Sequence, residues 1–264
     1  MGRLIRMDFR RLFYSKIFWI AGLVLFLLKL ISSLVMPILT NWLLSFSARS
    51  EGKPFTKTIA EVRLDDTITS PFGLFMIIIL FVAVVSFCYA DLANGYIKNI
   101  AGQIPNKGNT ALSKFVVIMF HSLVYIVLAA LGTVIGTLIS PDAKLITEMD
   151  AGKTIVLFCV RFALIMALCS MILFVVSALR SKVFGTVLGV LFGLNALNLI
   201  YMGLDSLIGN VIKDVHIENY TPSTLLTADL AATGDVVRAL IVAIVFIAVF
   251  LFLSVKFIKE KDVQ

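Results

Sequence analysis

Six long apolar runs dominate the chain, at 17–44, 71–90, 115–139, 154–179, 183–204 and 239–255. Crossing about 30 Å of hydrocarbon at about 1.5 Å per residue takes some twenty residues of helix. Five of the runs meet that length, and the sixth needs a residue or two from its flanks. Lys29 interrupts only the first run and Arg161 lies within the fourth, while the fifth carries no charge. The first run follows basic residues, as a secretory signal does, yet it far exceeds a signal's apolar stretch of about 7–15 residues. The pattern predicts an all-α membrane protein of six transmembrane helices, a single transmembrane domain over 1–264.

The polar stretches orient those helices. Residues 1–16 place Ile5, Phe9, Leu12 and Phe13 on one helical face and Arg3, Arg6 and Arg10 on another. This predicts an N-terminal amphipathic helix lying in the interface with its cations toward lipid headgroups; the plainer alternative is a basic flank ahead of a span. With the N-terminus inside, the inner segments 1–16, 91–114, 180–182 and 256–264 hold 13 Lys and Arg against 4 acids. The outer segments 45–70, 140–153 and 205–238 hold 8 against 12. Basic loops face the cytoplasm, so both termini and the 91–114 loop are expected there.

Composition agrees: 60% of residues are hydrophobic and 15% charged, with a mean hydropathy of +1.02. Soluble domains run near 45–50% and 25%, which excludes a soluble enzyme. The net charge of +7 is accounted for by the inner loops, so no nucleic-acid partner is expected. Cys88, Cys159 and Cys169 all fall in apolar runs and read as packing residues. His121 and His216 lie too far apart in topology to pair on a metal, and no metal site is expected.

The loop 91–114 is too short for a catalytic domain. Gly95 and Gly102 permit tight turns and Pro105 favours extended geometry before it. Tyr96, Ile97, Ile100 and Ile104 recur at helical spacing, with Lys98 and Lys107 supplying positive charge. A short helix with an apolar face suits a groove on a partner; a basic loop resting on headgroups is the alternative. Asp91-x-x-x-Gly95, then Ile97-Lys98-Asn99, then Ser113-Lys114 resembles the connection between the second and third helices of ABC-2 type transporter permeases. It is similar especially to the Gram-positive branch that exports, or confers immunity to, lantibiotics and other amphipathic peptides. Asp91 stands where Glu is more usual and Tyr96 where Thr is common. The arginine often found ahead of the closing lysine is absent.

The resemblance implies a permease without catalysis of its own and a cytoplasmic ABC ATPase that holds ATP and Mg and docks through this loop. It also implies a second permease copy or homologue, a bacterial plasma membrane location, and re-entrant outer helices before the last span. The chain carries no Walker A motif: Ala151-Gly152-Lys153-Thr154 lacks the upstream glycine, which is replaced by Thr147. Lys29 and Arg161 are pathway candidates, since a charge at membrane depth marks function by default; snorkelling to the interface is the alternative. The predicted spans contain no Asp or Glu, which disfavours an ion-coupled transporter. Gly185, Gly189 and Gly193 form a stripe for close helix packing, as do Gly132 and Gly136. A sensor or immunity protein that moves nothing remains the second reading.

Overall fold

A computed structural model describes residues 1–50, 54–70, 74–93, 107–208, 217–228, 230 and 232–260. It is 85% helical. In chain order the elements are α1 (Gly2–Tyr14), α2 (Lys16–Ser50), β1 (Ala60–Arg63), α3 (Leu64–Thr69), α4 (Leu74–Ala93) and α5 (Asn109–Ile139). Then follow β2 (Ala143–Ile146), α6 (Ala151–Leu179), α7 (Lys182–Gly193), α8 (Leu197–Ile208), a 3-10 turn (Ile217–Tyr220), α9 (Pro222–Thr227) and α10 (Thr233–Glu260). Helices α2, α4, α5, α6 and α10 are long and apolar enough to cross a membrane. The chain is an all-α membrane protein, with one small exception in its loops.

The fifth apolar run is not the continuous helix its hydropathy predicts. It breaks into α7 and α8, whose axes bend by 70°. Asn195 adopts φ 51°, in the left-handed region. Its N–H donates to Phe192 O at 3.1 Å and the Ala196 N–H to Leu191 O at 3.0 Å. That pair of bonds is the Schellman ending of a helix, with Asn in the position where glycine or asparagine is favoured. The stop is therefore chemical rather than a matter of polarity: one asparagine in an apolar run closes α7.

The molecule divides into two compact units. The first comprises 1–21, 73–122 and 159–264. Its core is built by Leu80, Phe81, Val84 and Val85 of α4, Val117 and Ile118 of α5, and Leu164, Leu168, Ile172 and Leu173 of α6, all fully buried. Helix α7 lies against α4 through its three glycines. A Cβ added at Gly189 would stand 3.0 Å from the Phe81 side chain, and one at Gly193 would stand 3.1 Å from the Ile78 backbone nitrogen. At Gly185 it would meet Val176 at 2.5 Å and Val85 at 3.1 Å. The stripe thus serves packing within the chain, because only a missing side chain lets the two helices approach this closely. Phe174 of α6 meets Phe250 and Phe257 of α10 with ring centroids 5.7 Å apart in both pairs. Ile241, Ile244, Val245, Val249 and Phe252 of α10 remain exposed, as expected where hydrocarbon is the solvent.

The second unit comprises 22–72 and 123–158. Here Gly132 and Gly136 of α5 face α2: a Cβ at Gly132 would lie 2.7 Å from Phe26 O and 3.0 Å from the Lys29 Cβ. The loops beyond these helices hold the exception to the all-helical reading. Strands β1 and β2 pair in parallel, Ala60 opposite Ala143 through Arg63 opposite Ile146. Ala-Glu-Val-Arg alternates in the strand period and Ala-Lys-Leu-Ile does so only over its first three residues, and runs of four are too short to stand out from hydropathy. Asp142 anchors the pair. Its carboxylate meets Lys57 Nζ at 2.5 Å and accepts from Asn41 Nδ2 at 3.0 Å, while its carbonyl accepts from the Ala60 N–H at 2.9 Å. Asn41 also bonds Thr58 in both directions, donating through Nδ2 at 2.8 Å and accepting at 3.0 Å.

Lys57 first, and then Asn41, hold the Asp142 carboxyl below its ordinary value of 3.8. A depressed carboxyl contributes stability that is full above its unfolded value and is lost as pH falls through the folded one. We expect exchange of the Ala60 amide to accelerate as pH falls below about 4, after correction for the intrinsic rate. Asp142→Asn should show fast exchange at neutral pH and a flat dependence; a wild-type profile in that variant would contradict this anchoring.

Candidate coupling site

The two helices that flank the 94–106 stretch, α4 and α5, extend beyond the predicted spans. Asp91 lies in the last turn of α4, and Ser113 and Lys114 in the second turn of α5. The expected 91–114 loop is therefore shorter, and the expectation that no acid lies within a spanning helix is corrected by Asp91 and, at the two ends of α10, by Asp235 and Glu260. The reason is that Asp91 does not face water. It is 4% exposed, as is Lys114, and a charge so buried is retained only where it is paired.

Asp91 has two cationic partners. Lys114 Nζ lies 3.0 Å from Asp91 Oδ2, and Arg11 of α1 forms an ion pair with Oδ1. Lys114 Nζ also donates to the Cys88 carbonyl at 3.4 Å. A second acid completes the cluster: Asp8 of α1, also buried, accepts from Ser113 Oγ at 2.5 Å and lies 3.6 Å from Arg11. Burial raises the Asp8 carboxyl above its ordinary value, while Ser113, Lys114 and Arg11 pull it back down. Two acids and two bases from three helices thus balance in one buried site.

Aromatic packing carries the same join outward. Phe9 and Phe13 of α1 contact Phe120 of α5, with centroids at 5.1 and 5.8 Å. Phe13 also meets Phe18 at 5.9 Å, and Trp19 Nε1 donates to the Phe13 carbonyl at 2.8 Å across the α1–α2 corner. Helix α1 buries Asp8 and Leu12 and half-buries Ile5, Phe9 and Arg11, so its inward face is partly ionic. Arg3, Arg6 and Arg10 point outward and are exposed, and Arg10 sits 5.6 Å over the Tyr14 ring.

Of the other residues singled out from sequence, Gly95, Tyr96, Ile97, Lys98, Ile100, Ile104 and Pro105 lie outside the described residues. Lys107 is half-buried just ahead of α5, where its carbonyl accepts from the Thr110 hydroxyl at 2.7 Å. Lys29 is half-buried on α2 beside Gly132, and Arg161 is half-buried on α6. They belong to different units. Cys88 and Cys169 are buried as packing residues, but Cys159 is exposed. The Gly152-Lys153-Thr154 string opens α6, with Asp150 accepting from the Lys153 N–H at 3.2 Å as a helix cap.

Sequence reasoning missed Asp8 and Arg11. The signal was available: Asp8 is the one acid in a basic helix, three residues before Arg11 and on the face of Ile5 and Leu12. Grouping the helix into an apolar and a cationic face hid an acid on the inward side.

Helices of this length and apolarity define a multi-pass membrane protein, and its loop-flanking helices are fastened to an N-terminal helix by buried charge. The chain matches the family described as ABC-2 family transporter protein over residues 4–196, from α1 to the break after α7. It belongs to that family and is a membrane-spanning permease subunit of an ABC transporter. None of the curated proteins matches it.

The cluster makes a definite energetic prediction. Removing one member of a buried pair costs about 3–5 kcal/mol, whereas replacing both by apolar groups of similar volume is near neutral. Asp91→Ala should lower the unfolding free energy in detergent by about that amount. Asp91→Leu combined with Lys114→Met should recover most of it. A single variant as stable as the wild type, or a double variant no better than the single, would show that the pair is not buried as described.

Proposed function

We propose that this permease exports amphipathic or antimicrobial peptides, or lipid-like compounds, driven by a separate cytoplasmic ATPase. The ATPase, which holds ATP and Mg, docks on the stretch between α4 and α5 and on α1. Two permease copies, or this chain and a homologue, form the pathway in a bacterial plasma membrane with both termini in the cytoplasm. Peptides or lipids partitioning into the inner leaflet reach such a pathway from the membrane side.

One observation supports this reading above the others: Asp91 ties α1, α4 and α5 together at both ends of the stretch where an ATPase would bind. A docking loop on slack attachments dissipates a push. Here the loop's two ends are joined by Asp91 and Lys114, and α1 is joined to both through Arg11 and Asp8. Force applied to the loop is therefore delivered to two spanning helices and to the N-terminal helix as one body. The exposed Arg3, Arg6 and Arg10 suit anionic headgroups and would keep α1 at the membrane surface during that movement. Lys29 and Arg161 remain the candidates for contact with substrate or headgroups.

The test is a mild-detergent pull-down of the tagged chain from its own host, with hydrolysis of ATP measured in the eluate. The wild type should bring down an ATPase whose hydrolysis rises with an added amphipathic peptide. Ile97→Asp with Ile100→Asp should lose the ATPase while the permease stays monodisperse. Flux that follows an ion gradient without ATP, or the absence of any ATPase from a folded permease, would overturn the reading. An ATPase complex indifferent to peptide and lipid would favour the immunity or sensor role.

A further inference from the structure

Near the break in the fifth apolar run the first unit holds a cavity of about 180 Å³. Its walls include Asn195 at the break, Asn198 of α8, Leu225 and Thr227 of α9, and Asp235 and Arg238 of α10. The break and three helices therefore converge on it. A cavity of about 150 Å³ takes up benzene, which has six heavy atoms, as glycerol does.

The polar groups at this cavity are incompletely satisfied. Asn195 Nδ2 donates weakly to Thr227 Oγ1 at 3.4 Å, and Arg238 Nη2 donates to Asp235 Oδ1 at 2.6 Å. Asn195 Oδ1, Asn198 Oδ1 and Arg238 Nε are buried with no hydrogen-bond partner among the described residues. Two acceptors and one donor left unmet at one cavity are costly, and a ligand that meets all three is favoured.

Its chemistry follows from the walls. Among the described residues the two charges in the walls, Asp235 and Arg238, already neutralise each other. An anion would meet the Asp235 carboxylate and two carbonyl oxygens, and a cation would meet the guanidinium. A hydroxyl donates once and accepts twice, so one hydroxyl can accept from Arg238 Nε while donating to an asparagine oxygen. A second, on the next carbon, reaches the other asparagine. We propose that this cavity binds a glycerol unit, through adjacent hydroxyls held by Asn195, Asn198 and Arg238. Such a unit is offered both by free glycerol and by the headgroup of phosphatidylglycerol, whose phosphate would remain outside the neutral cavity. Because the ligand bridges the break and α8 to α10, its binding stabilises their arrangement. The site does not depend on what the permease exports.

The experiment uses the full chain in phosphatidylcholine nanodiscs prepared without glycerol. Free glycerol is titrated by saturation-transfer NMR, and phosphatidylglycerol is added to parallel nanodiscs whose bound lipids are counted by native mass spectrometry. Thermal unfolding is followed in both arms. Binding should raise the unfolding temperature. Asn198→Ala should weaken it up to about tenfold and Thr227→Val, of matched shape, about two- to threefold, the range expected for single hydrogen bonds. Saturable binding of glycerol identifies the free polyol as a ligand, and binding of phosphatidylglycerol alone identifies the lipid; either supports the site if the variants weaken it. Binding of neither, binding unchanged in both variants, or displacement by inorganic phosphate would overturn the proposal.

Discussion

A carboxylate that is 4% exposed at the end of a membrane helix dictates much of what surrounds it. Left alone, the Asp91 charge would be too costly to bury. It persists because α5 supplies Lys114 from one side and α1 supplies Arg11 from another. Adding two cations to one acid would leave an excess, and Asp8 removes it, itself held by Ser113. The four charges balance one another, and they fix the position of α1 more specifically than an apolar contact would. The aromatic contacts of Phe9, Phe13 and Phe120 then add area to a position already chosen.

Away from that cluster, the first unit relies on close backbone approach instead of charge. Inside a bilayer apolar side chains gain little by meeting one another, because lipid tails serve equally well; packing geometry decides which helices associate. The stripe of Gly185, Gly189 and Gly193 brings α7 onto α4, and α7 ends at the last of these contacts, two residues before Asn195. The same helix α4 thus carries the glycine contact along its length and the ionic cluster at its end. A displacement of α4 would be felt at α7 and at the break beyond it.

How much of this was legible in the sequence depends on the scale. Apolar length exposed the spanning helices, because nothing else satisfies backbone hydrogen bonds in hydrocarbon. The basic N-terminal helix was equally plain. Asp91 and Lys114 stood out as the ends of a loop resembling that of ABC-2 permeases, yet their pairing was hidden because hydropathy ends a span where charge begins. Helix α4 in fact runs on through Asp91 to Ala93. The break at 194–196 was missed for the opposite reason: an averaged window overlooks one asparagine, although Gly193-Leu194-Asn195 is a plausible helix stop. The strands β1 and β2 are paired across about eighty residues, a distance over which local pattern carries no information. Asp8 was lost when the N-terminal helix was sorted into two faces and not three.

Transmission of force through the cluster requires α1, α4 and α5 to act as one body. Spin labels at positions 6 and 107, in the permease reconstituted with the ATPase proposed to drive it, measure this directly by pulsed electron resonance. The distance between them should keep its mean and its width as the ATPase passes between nucleotide-free and ATP-bound states, and should broaden only when Asp91→Asn loosens the cluster. A distance that shifts with nucleotide in the wild type, or a distribution unaffected by Asp91→Asn, would show that the helices move independently and that the buried charges do not couple them.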